Sequence, residues 1–558
     1  MHVVSDRVLA VLSQFYYVAN AVAPPNKLPP ELLRMVFFHL RPSTDHDWET
    51  EQTPPYANLF AVSRVCRCWR EVAISASELW THIILSASRA VPLEKEISTA
   101  RLCMSRSGGQ PLDFFYTALF CRSHGASEFV PDRHRLRSVV YGYPDDSRTT
   151  GELVKFLLSA SNLGRLEIRT HESFSLPILF PNTIPPLREL TLLRCSPWPN
   201  NQLGLLTSLY LLRQKEVSTN IHHLANALRC SPNLEELFLE GGFDDSATQR
   251  QLPSGDIPTI PLRSLKKLHL CRLSAGTTRR LLHAFDLHPG EILMRFSNIS
   301  ADLDAIFPEA IAPKVSPRAV TKLELIYPSR GGVILHSTSG AACTRLAYNR
   351  FSRQDGLLDW VARGPNKGCS LKELWLHSCS NAHYEIPPPL ALRNLETLVI
   401  EADPNEKFNF VFLPMLFSRE GGVPSPLLST LELRDVVDVK KFGEILKARA
   451  DAGFRLKTLR ARWFEGCEAR MAPLFQFVDN LEFYRVTDKA TRGLELPEGC
   501  MKKSRWWEPW SRKFVGEMEC ERAVGWACEV RRMELICILA LLNQSTHWLA
   551  LQQLDLGP

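Results

Sequence analysis

Leu187-Arg188-Glu189-Leu190-Thr191-Leu192-Leu193-Arg194-Cys195 decides the fold, because its spacing returns along most of the chain. The core of the stretch, apolar-x-x-apolar-x-apolar, starts again at Leu136, Leu163, Leu206, Leu234, Leu265, Val320, Leu371, Leu395, Leu428, Leu456 and Val478. Successive starts lie mostly about 19 to 33 residues apart, which brackets the 20–29 residue period of one class of stacked repeat. Two wider gaps, Leu265 to Val320 and Val320 to Leu371, are each near two periods and hold weaker copies around Ile292-Leu293 and at Cys343-Thr344-Arg345-Leu346-Ala347-Tyr348. A short strand with two inward leucines cannot bury its own apolar face, so each copy must stack on its neighbours. The expected outcome is a curved solenoid with a parallel sheet on its concave side.

Two copies, Leu187 to Cys195 and Leu371 to Cys379, extend to L-x-x-L-x-L-x-x-C and resemble the leucine-rich-repeat signature. The resemblance implies that Cys195 and Cys379 turn inward and hydrogen-bond the loop backbone. Side chains alternate along a strand, so if the fourth and sixth positions of each copy are inward, the third, fifth and seventh line the open face. That reasoning puts Tyr210, Phe238, His269, Trp375, His377, Arg434, Arg460 and Arg462 on the face as candidate target-binding residues. Aromatic anchors favour a protein interface; the alternative is that flanking segments cover the rings as ordinary core. The cluster Arg434, Arg460, Arg462 suits an acidic part of a ligand, with a solvated charged face as the plainer account.

Nearer the amino terminus, Leu28-Pro29-Pro30-Glu31-Leu32-Leu33-Arg34-Met35-Val36-Phe37-Phe38-His39-Leu40 places Leu32, Leu33, Val36, Phe37 and Leu40 on one helical face. The prolines suit a first turn. A second apolar run at helical spacing passes through Leu59, Val62, Val65, Cys66, Trp69, Val72 and Ala73, and Leu79-Trp80 with Ile83-Ile84 closes the unit. Between the runs, residues 41 to 58 form a polar insert carrying Asp45, Asp47, Glu49 and Glu51, expected to bulge as a solvated loop. Three short helices bury too little surface to stand comfortably alone, which calls for a partner. This stretch resembles an F-box, and the whole chain resembles the F-box and leucine-rich-repeat proteins expanded in many fungi. The resemblance implies docking on a Skp-family adaptor, and through it a cullin scaffold, by Leu28, Pro29, Leu32, Val36, Phe37, Leu40, Val65, Cys66 and Trp69. Trp69 reads equally as a plain core residue.

The chain has 558 residues, 45% of them apolar and 23% charged, with a net charge of +6. Such a length exceeds one compact core, and so weak a positive balance points to no nucleic-acid partner. Its 15 cysteines are scattered, with Cys66 and Cys68 the closest pair and no CxxC. Scattered thiols suit a reducing compartment, and that pair lacks two further ligands for zinc. Neither a secretory leader nor a membrane-spanning stretch is read in the sequence, since the longest apolar run, Leu535 to Leu542, falls well short of the roughly 20 residues needed. The expected location is cytoplasmic or nuclear, with no cofactor, metal or membrane partner.

No GxSxG, HExxH, P-loop or GxGxxG pattern occurs, and His222-His223 falls in an apparent helix from Ile221 to Leu228. Catalysis is therefore not expected. Past residue 486 the rhythm stops, and the tail, with Arg505-Trp506-Trp507 and Trp510, is read as a cap on the last repeat, the alternative being a membrane or partner contact. The expected organisation is an N-terminal segment 1–27, an F-box 28–85, a linker and entry 86–130, a solenoid 131–486 and a cap or tail 487–558. In fold class this is α/β, a small three-helix module followed by the solenoid. The implied function is target recognition for an SCF-type cullin-RING ubiquitin ligase. The rival is a repeat scaffold without a ligase role, and an enzyme on a parallel β-solenoid is a distant third.

Overall fold

The computed structural model describes residues 11–15, 18, 22–42, 56–85, 92–117, 133–142, 156–157, 159–174, 180, 186–195, 203–212, 221–241, 259–287, 292–297, 322–326, 333–339, 342–348, 371–377, 392–401, 423, 425–434, 439–462, 469 and 471–484. They form a mixed α/β chain in two compact units, one within residues 1–110 and the other within 111–510.

The first unit is built from α1 (Pro30–Phe38), α2 (Ala57–Val65), α3 (Arg67–Ser75), a 3-10 turn at Ser77–Trp80, strand β1 (His82–Leu85) and α4 (Leu93–Arg106). Pro30 opens α1 at a position whose N–H would be unbonded anyway. The second apolar run is not one helix. It breaks at Cys66, whose backbone is extended (φ −154°, ψ 174°) and whose sulfur accepts the Trp69 N–H at 3.4 Å, capping α3. Aromatic rings then fill the centre: Phe60 packs on Trp80 at 5.6 Å, and the Trp80 indole donates to the Ala73 carbonyl at 2.8 Å. The Tyr56 hydroxyl accepts the Ile84 N–H at 2.6 Å and donates to the His82 carbonyl at 3.0 Å. Burial of that hydroxyl raises its pKa well above the usual tyrosine value. Of the polar insert, residues 43–55 lie outside the described residues, but its ends are fixed. Arg41 stacks on Phe38 at 4.4 Å and donates to Thr81 Oγ1 at 3.0 Å.

In the second unit each of the twelve copies of the hexad coincides with a strand. Strands β2 (Leu112–Thr117), β3 (Leu136–Gly142), β4 (Arg165–Phe174), β5 (Glu189–Cys195), β6 (Ser208–Leu212), β7 (Glu236–Glu240), β9 (Lys267–Cys271) and β11 (Leu293–Ser297) pair in sequence, all parallel. Short β8 (Ile260–Leu262) and β10 (Phe285–Leu287) pair separately with one another. Strands β15 (Glu373–His377), β16 (Thr397–Glu401), β17 (Thr430–Arg434), β18 (Leu456–Arg462) and β19 (Val478–Tyr484) continue the parallel run. Both leucines of the hexad are inward wherever side chains are described: Leu237 and Leu239, for example, are buried, as are Leu431 and Leu433. The stretch 86–130, read as linker and entry, holds α4 and β2.

One backbone device recurs at several steps. A carbonyl at the second hexad position accepts two N–H groups from the next copy: Arg188 O from Thr207 and Ser208 (2.8 and 2.9 Å), Thr207 O from Glu235 and Glu236 (2.7 and 3.0 Å), Lys372 O from Glu396 and Thr397 (both 2.8 Å). This fixes the register of each strand against the last. Helices α5 (Ile221–Arg229), α6 (Ala275–Ala284) and α7 (Val439–Asp451) fill longer connections, the first agreeing with the helix expected from Ile221.

The regular order fails in the middle. Strand β13 (Val333–Ser339) is antiparallel to both β12 (Lys322–Ile326) and β14 (Ala342–Tyr348). The sheet therefore runs β11, β14, β13, β12, β15, with β14 parallel to β11 and β12 parallel to β15. The weak copies at Ile292 and Cys343 do form strands, yet an all-parallel order is not observed, because β13 supplies a return strand that carries no hexad.

Candidate functional site

The helical face predicted on α1 is divided by the fold. Leu33, Phe37 and Leu40, at i, i+4 and i+7, point into the first unit, where the Phe37 ring meets Trp69. Leu32 and Val36, one position earlier, fall on the neighbouring stripe and stay open, with Leu28, Met35 and Phe38 beside them in sequence. Leu32 is 45% exposed and Val36 39%, against 0% for Phe37. Across the Cys66 break, Val65 at the end of α2 is also exposed. The predicted contact set thus separates into an outer group, Leu28, Pro29, Leu32, Val36 and Val65, and an inner group, Phe37, Leu40 and Trp69. Cys66 lies between, half-buried at the cap. The inner residues can act on a partner only by holding the outer ones in place. Sequence periodicity missed this division because a 3.6-residue period identifies an apolar arc wider than the part a small core can cover.

Polar anchors brace the same surface. Arg34 on α1 donates Nε and Nη2 to Glu78 Oε1 at 3.1 and 2.8 Å, tying the exposed side of α1 to the 3-10 turn. Arg70 Nε donates to the Ser63 carbonyl at 3.0 Å across the α2–α3 break.

Residues 25–86 match the family model described as F-box-like. The chain carries an F-box-like domain. No curated protein matches the chain. The F-box-like domain spans α1 to β1 and includes every residue of both the inner and the outer group. F-box domains generally bind Skp1-like adaptors, and proteins that carry them are generally adaptors rather than enzymes.

On the sheet, the fifth hexad positions occupy one continuous row of register from Val140 on β3 to Glu482 on β19. The expectation that this row lies open to solvent is corrected. Val140, Glu167, Thr191, Tyr210, His269 and Val399 are buried, Phe238 and Trp375 half-buried, and Arg460 exposed. Strands about 4.8 Å apart put row neighbours in van der Waals and hydrogen-bond contact, and the side chains use that contact. Tyr210 donates to Glu236 Oε2 at 2.5 Å, while Lys267 Nζ holds Glu236 Oε1 at 2.7 Å. Burial and the adjoining Glu236 carboxylate push the Tyr210 hydroxyl well above the usual tyrosine pKa. The Phe238 and His269 rings meet edge to face at 4.1 Å, and His269 Nε2 is 2.8 Å from Ser297 Oγ.

Of the basic cluster, Arg434 is enclosed, while Arg460 is exposed and paired. Arg434 is buried, pairs with Glu432 at 2.6 Å, and lies 4.9 Å over the Trp375 ring, whose indole donates to Glu373 at 2.6 Å. Arg460 pairs with Glu482 at 2.8 Å. His377 and Arg462 have described backbone in β15 and β18, but their side chains fall outside the described residues, as do Cys379 and the whole tail from 487. Cys195 is buried, with its thiol 3.7 Å from the Ile168 carbonyl and 3.4 Å from that of Leu193, and burial pushes its pKa up to about 12. Among the described residues no three His, Cys, Asp or Glu side chains are placed to hold a metal ion, and no helix is long and apolar enough to cross a membrane.

Proposed function

We propose that this protein is the substrate-recognition subunit of an SCF-type cullin-RING ubiquitin ligase. In this reading the F-box-like domain docks on a Skp-family adaptor, and through it on a cullin scaffold, while residues 131–486 form a leucine-rich-repeat solenoid that binds a target protein. The observation that carries the reading is the exposed apolar stripe Leu28, Leu32, Val36 and Val65, held rigid by Phe37 and Trp69 beneath it inside an F-box-like domain. Leu32 and Val36 are neighbours one turn apart on α1, and exposed apolar patches mark interaction sites. Support for the repeat assignment comes from in-register parallel strands with paired inward leucines and the recurring two-donor carbonyl.

The chemistry needs no reacting group from this chain. Holding a target lysine beside a charged conjugating enzyme converts an encounter between free molecules into one at a high effective concentration. Specificity then rests on the sheet face and rate on geometry. The test is capture of a purified Skp-family adaptor by the full chain and by a form lacking residues 28–85. Capture that depends on those residues supports the ligase reading, whereas no capture by the full chain leaves a repeat scaffold without a ligase role.

A further inference from the structure

A strict period runs through the segment before the F-box-like helices. Val4, Val8, Val11, Phe15, Val18 and Val22 follow one another at steps of four, three, four, three and four residues, while Asp6, Ser13 and Asn20 recur every seven between them. Alternating steps of three and four are the a and d positions of a coiled-coil heptad, and the polar series then falls at f, on the far side. Residues 11–15, 18 and 22 are helical, and every one of them is exposed. On the seam itself Val11 is 66% exposed, Phe15 70%, Val18 63% and Val22 65%, each more open than Leu32 or Val36 on α1. At about 100° per residue these four side chains fall within an arc of about 60°. They make a narrow exposed edge of large apolar groups, with Leu12 beside it.

We infer that this edge is a self-association seam, filled by the same edge of further copies of this chain. Knobs at a and d need holes of matching period, and a second copy supplies that period by construction. The flanking e and g positions are Ser5, Leu12 and Ala19 with Arg7, Gln14 and Ala21, so one charge alone borders the seam and the two alanines let backbones approach. A lipid surface is the poorer fit, since helices lying on membranes carry a polar face rich in Lys and Arg, whereas residues 4–22 hold one Arg and one Asp. The adaptor is a poorer fit as well. Pro24 and Pro25 open the 3-10 turn Pro24–Lys27 and cut this run off from α1, whose exposed Leu32 and Val36 belong to a separate element. Short helices are marginal alone in water, which favours meeting the open edge with another helix. β-Branched side chains at both a and d suit two or three strands. Under three heptads bury less than the roughly 1,600 Å² of a standard interface, so association in the micromolar range is expected. None of this depends on the ligase reading.

The test is sedimentation velocity on the full-length chain from about 1 to 100 μM. The mass should rise to two or three chains, with at least a tenfold weakening in the double variant Phe15→Glu with Val18→Glu. Ser13→Glu, which puts the same charge on the far side, should leave association unchanged, and Val11→Leu should keep it. A single-chain mass throughout the range, association that survives the double variant, or an equal loss in Ser13→Glu would each overturn the inference. So would a single-chain mass combined with loss of adaptor capture in the double variant, which assigns the edge to the adaptor, or combined with flotation on phosphatidylserine vesicles, which assigns it to a lipid surface. Adaptor capture on the same preparations reads the ligase proposal separately: a chain that associates through the seam and captures no adaptor overturns the ligase reading alone.

Discussion

The ring of Phe37 on α1 lies 5.3 Å from the indole of Trp69 on α3, with the planes inclined by 57°. This tilted pair joins the two helices and is buried, while Leu32 and Val36, on the same helix as Phe37, are exposed. Phe37→Ala should therefore lower the stability of the F-box-like domain by about 3–5 kcal/mol, the usual cost of emptying a buried aromatic site. Leu32→Ala with Val36→Ala should change stability by under about 1 kcal/mol, since neither side chain is buried, while reducing adaptor capture. Thermal denaturation and capture measured together separate the two roles. A large loss of stability in the Leu32/Val36 variant would place those residues in the core instead.

Tyr210 and Lys267 converge on the two oxygens of Glu236. Glu236→Ala removes the acceptor from a buried hydroxyl and should cost about 1–3 kcal/mol, whereas Lys267→Met should cost less because that ammonium is nearer solvent. Chemical denaturation of the three proteins tests the order.

The same hydroxyl gives a pH dependence. Its folded pKa lies above the ordinary value near 10, as does that of Tyr56. The unfolded chain releases these protons first, so the folded form gains nothing from them below pH 10 and loses stability as pH rises above it. Ultraviolet titration should show Tyr56 and Tyr210 protonated in the folded protein beyond the ordinary range, with their ionisation coinciding with unfolding. Tyr210→Phe should remove part of the alkaline loss.

Thiol reactivity should follow burial. Cys103 and Cys195 are buried with pKa values pushed up to about 12, while Cys68 and Cys230 are exposed. Iodoacetamide at pH 8 should label Cys68 and Cys230 in the folded protein and reach Cys103 and Cys195 only after denaturant is added, because the thiolate is the nucleophile. Peptide mass mapping reads each site. Rapid labelling of Cys195 in the native protein would contradict its burial at the end of β5.

Arg449 on α7 is fully buried and donates Nη2 to the carbonyls of Ser425 at 2.6 Å and Leu428 at 3.2 Å, and burial lowers its pKa to about 10. Those carbonyls belong to the turn entering β17. Arg449→Ala should destabilise the protein by about 1–3 kcal/mol by removing a buried donor from both carbonyls, and Arg449→Lys should recover little, because the shorter side chain stops its ammonium short of the point that Nη2 reaches. Hydrogen exchange at Leu431 and Leu433 should rise in both variants.

Much of the strand layout was legible because the hexad is a local rule. Leu237 and Leu239 are inward for the same reason as Leu431 and Leu433, and the reader needs only spacing to say so. What lay beyond the sequence were matters of neighbourhood. Val333-Ile334-Leu335 carries no hexad, so nothing local announces that β13 will run backwards between two copies. Tyr210 was expected on an open face, yet it is buried, held by Glu236 26 residues on and flanked in register by Thr191 and Phe238. On α1 the period found the apolar arc but could not say that Phe37 would fall under it and Leu32 over it.

The reversal at β13 also has a consequence for how the chain is made. As the protein emerges in order, β11 exposes an edge whose partner, β14, ends only at Tyr348, and β12 waits for β15, which ends at His377. Strands before β11 can add one at a time on the ribosome, but here an unpaired strand edge persists until the hairpin is complete. The middle of the sheet is therefore where a slowed or truncated synthesis would leave the molecule most open to pairing with another chain.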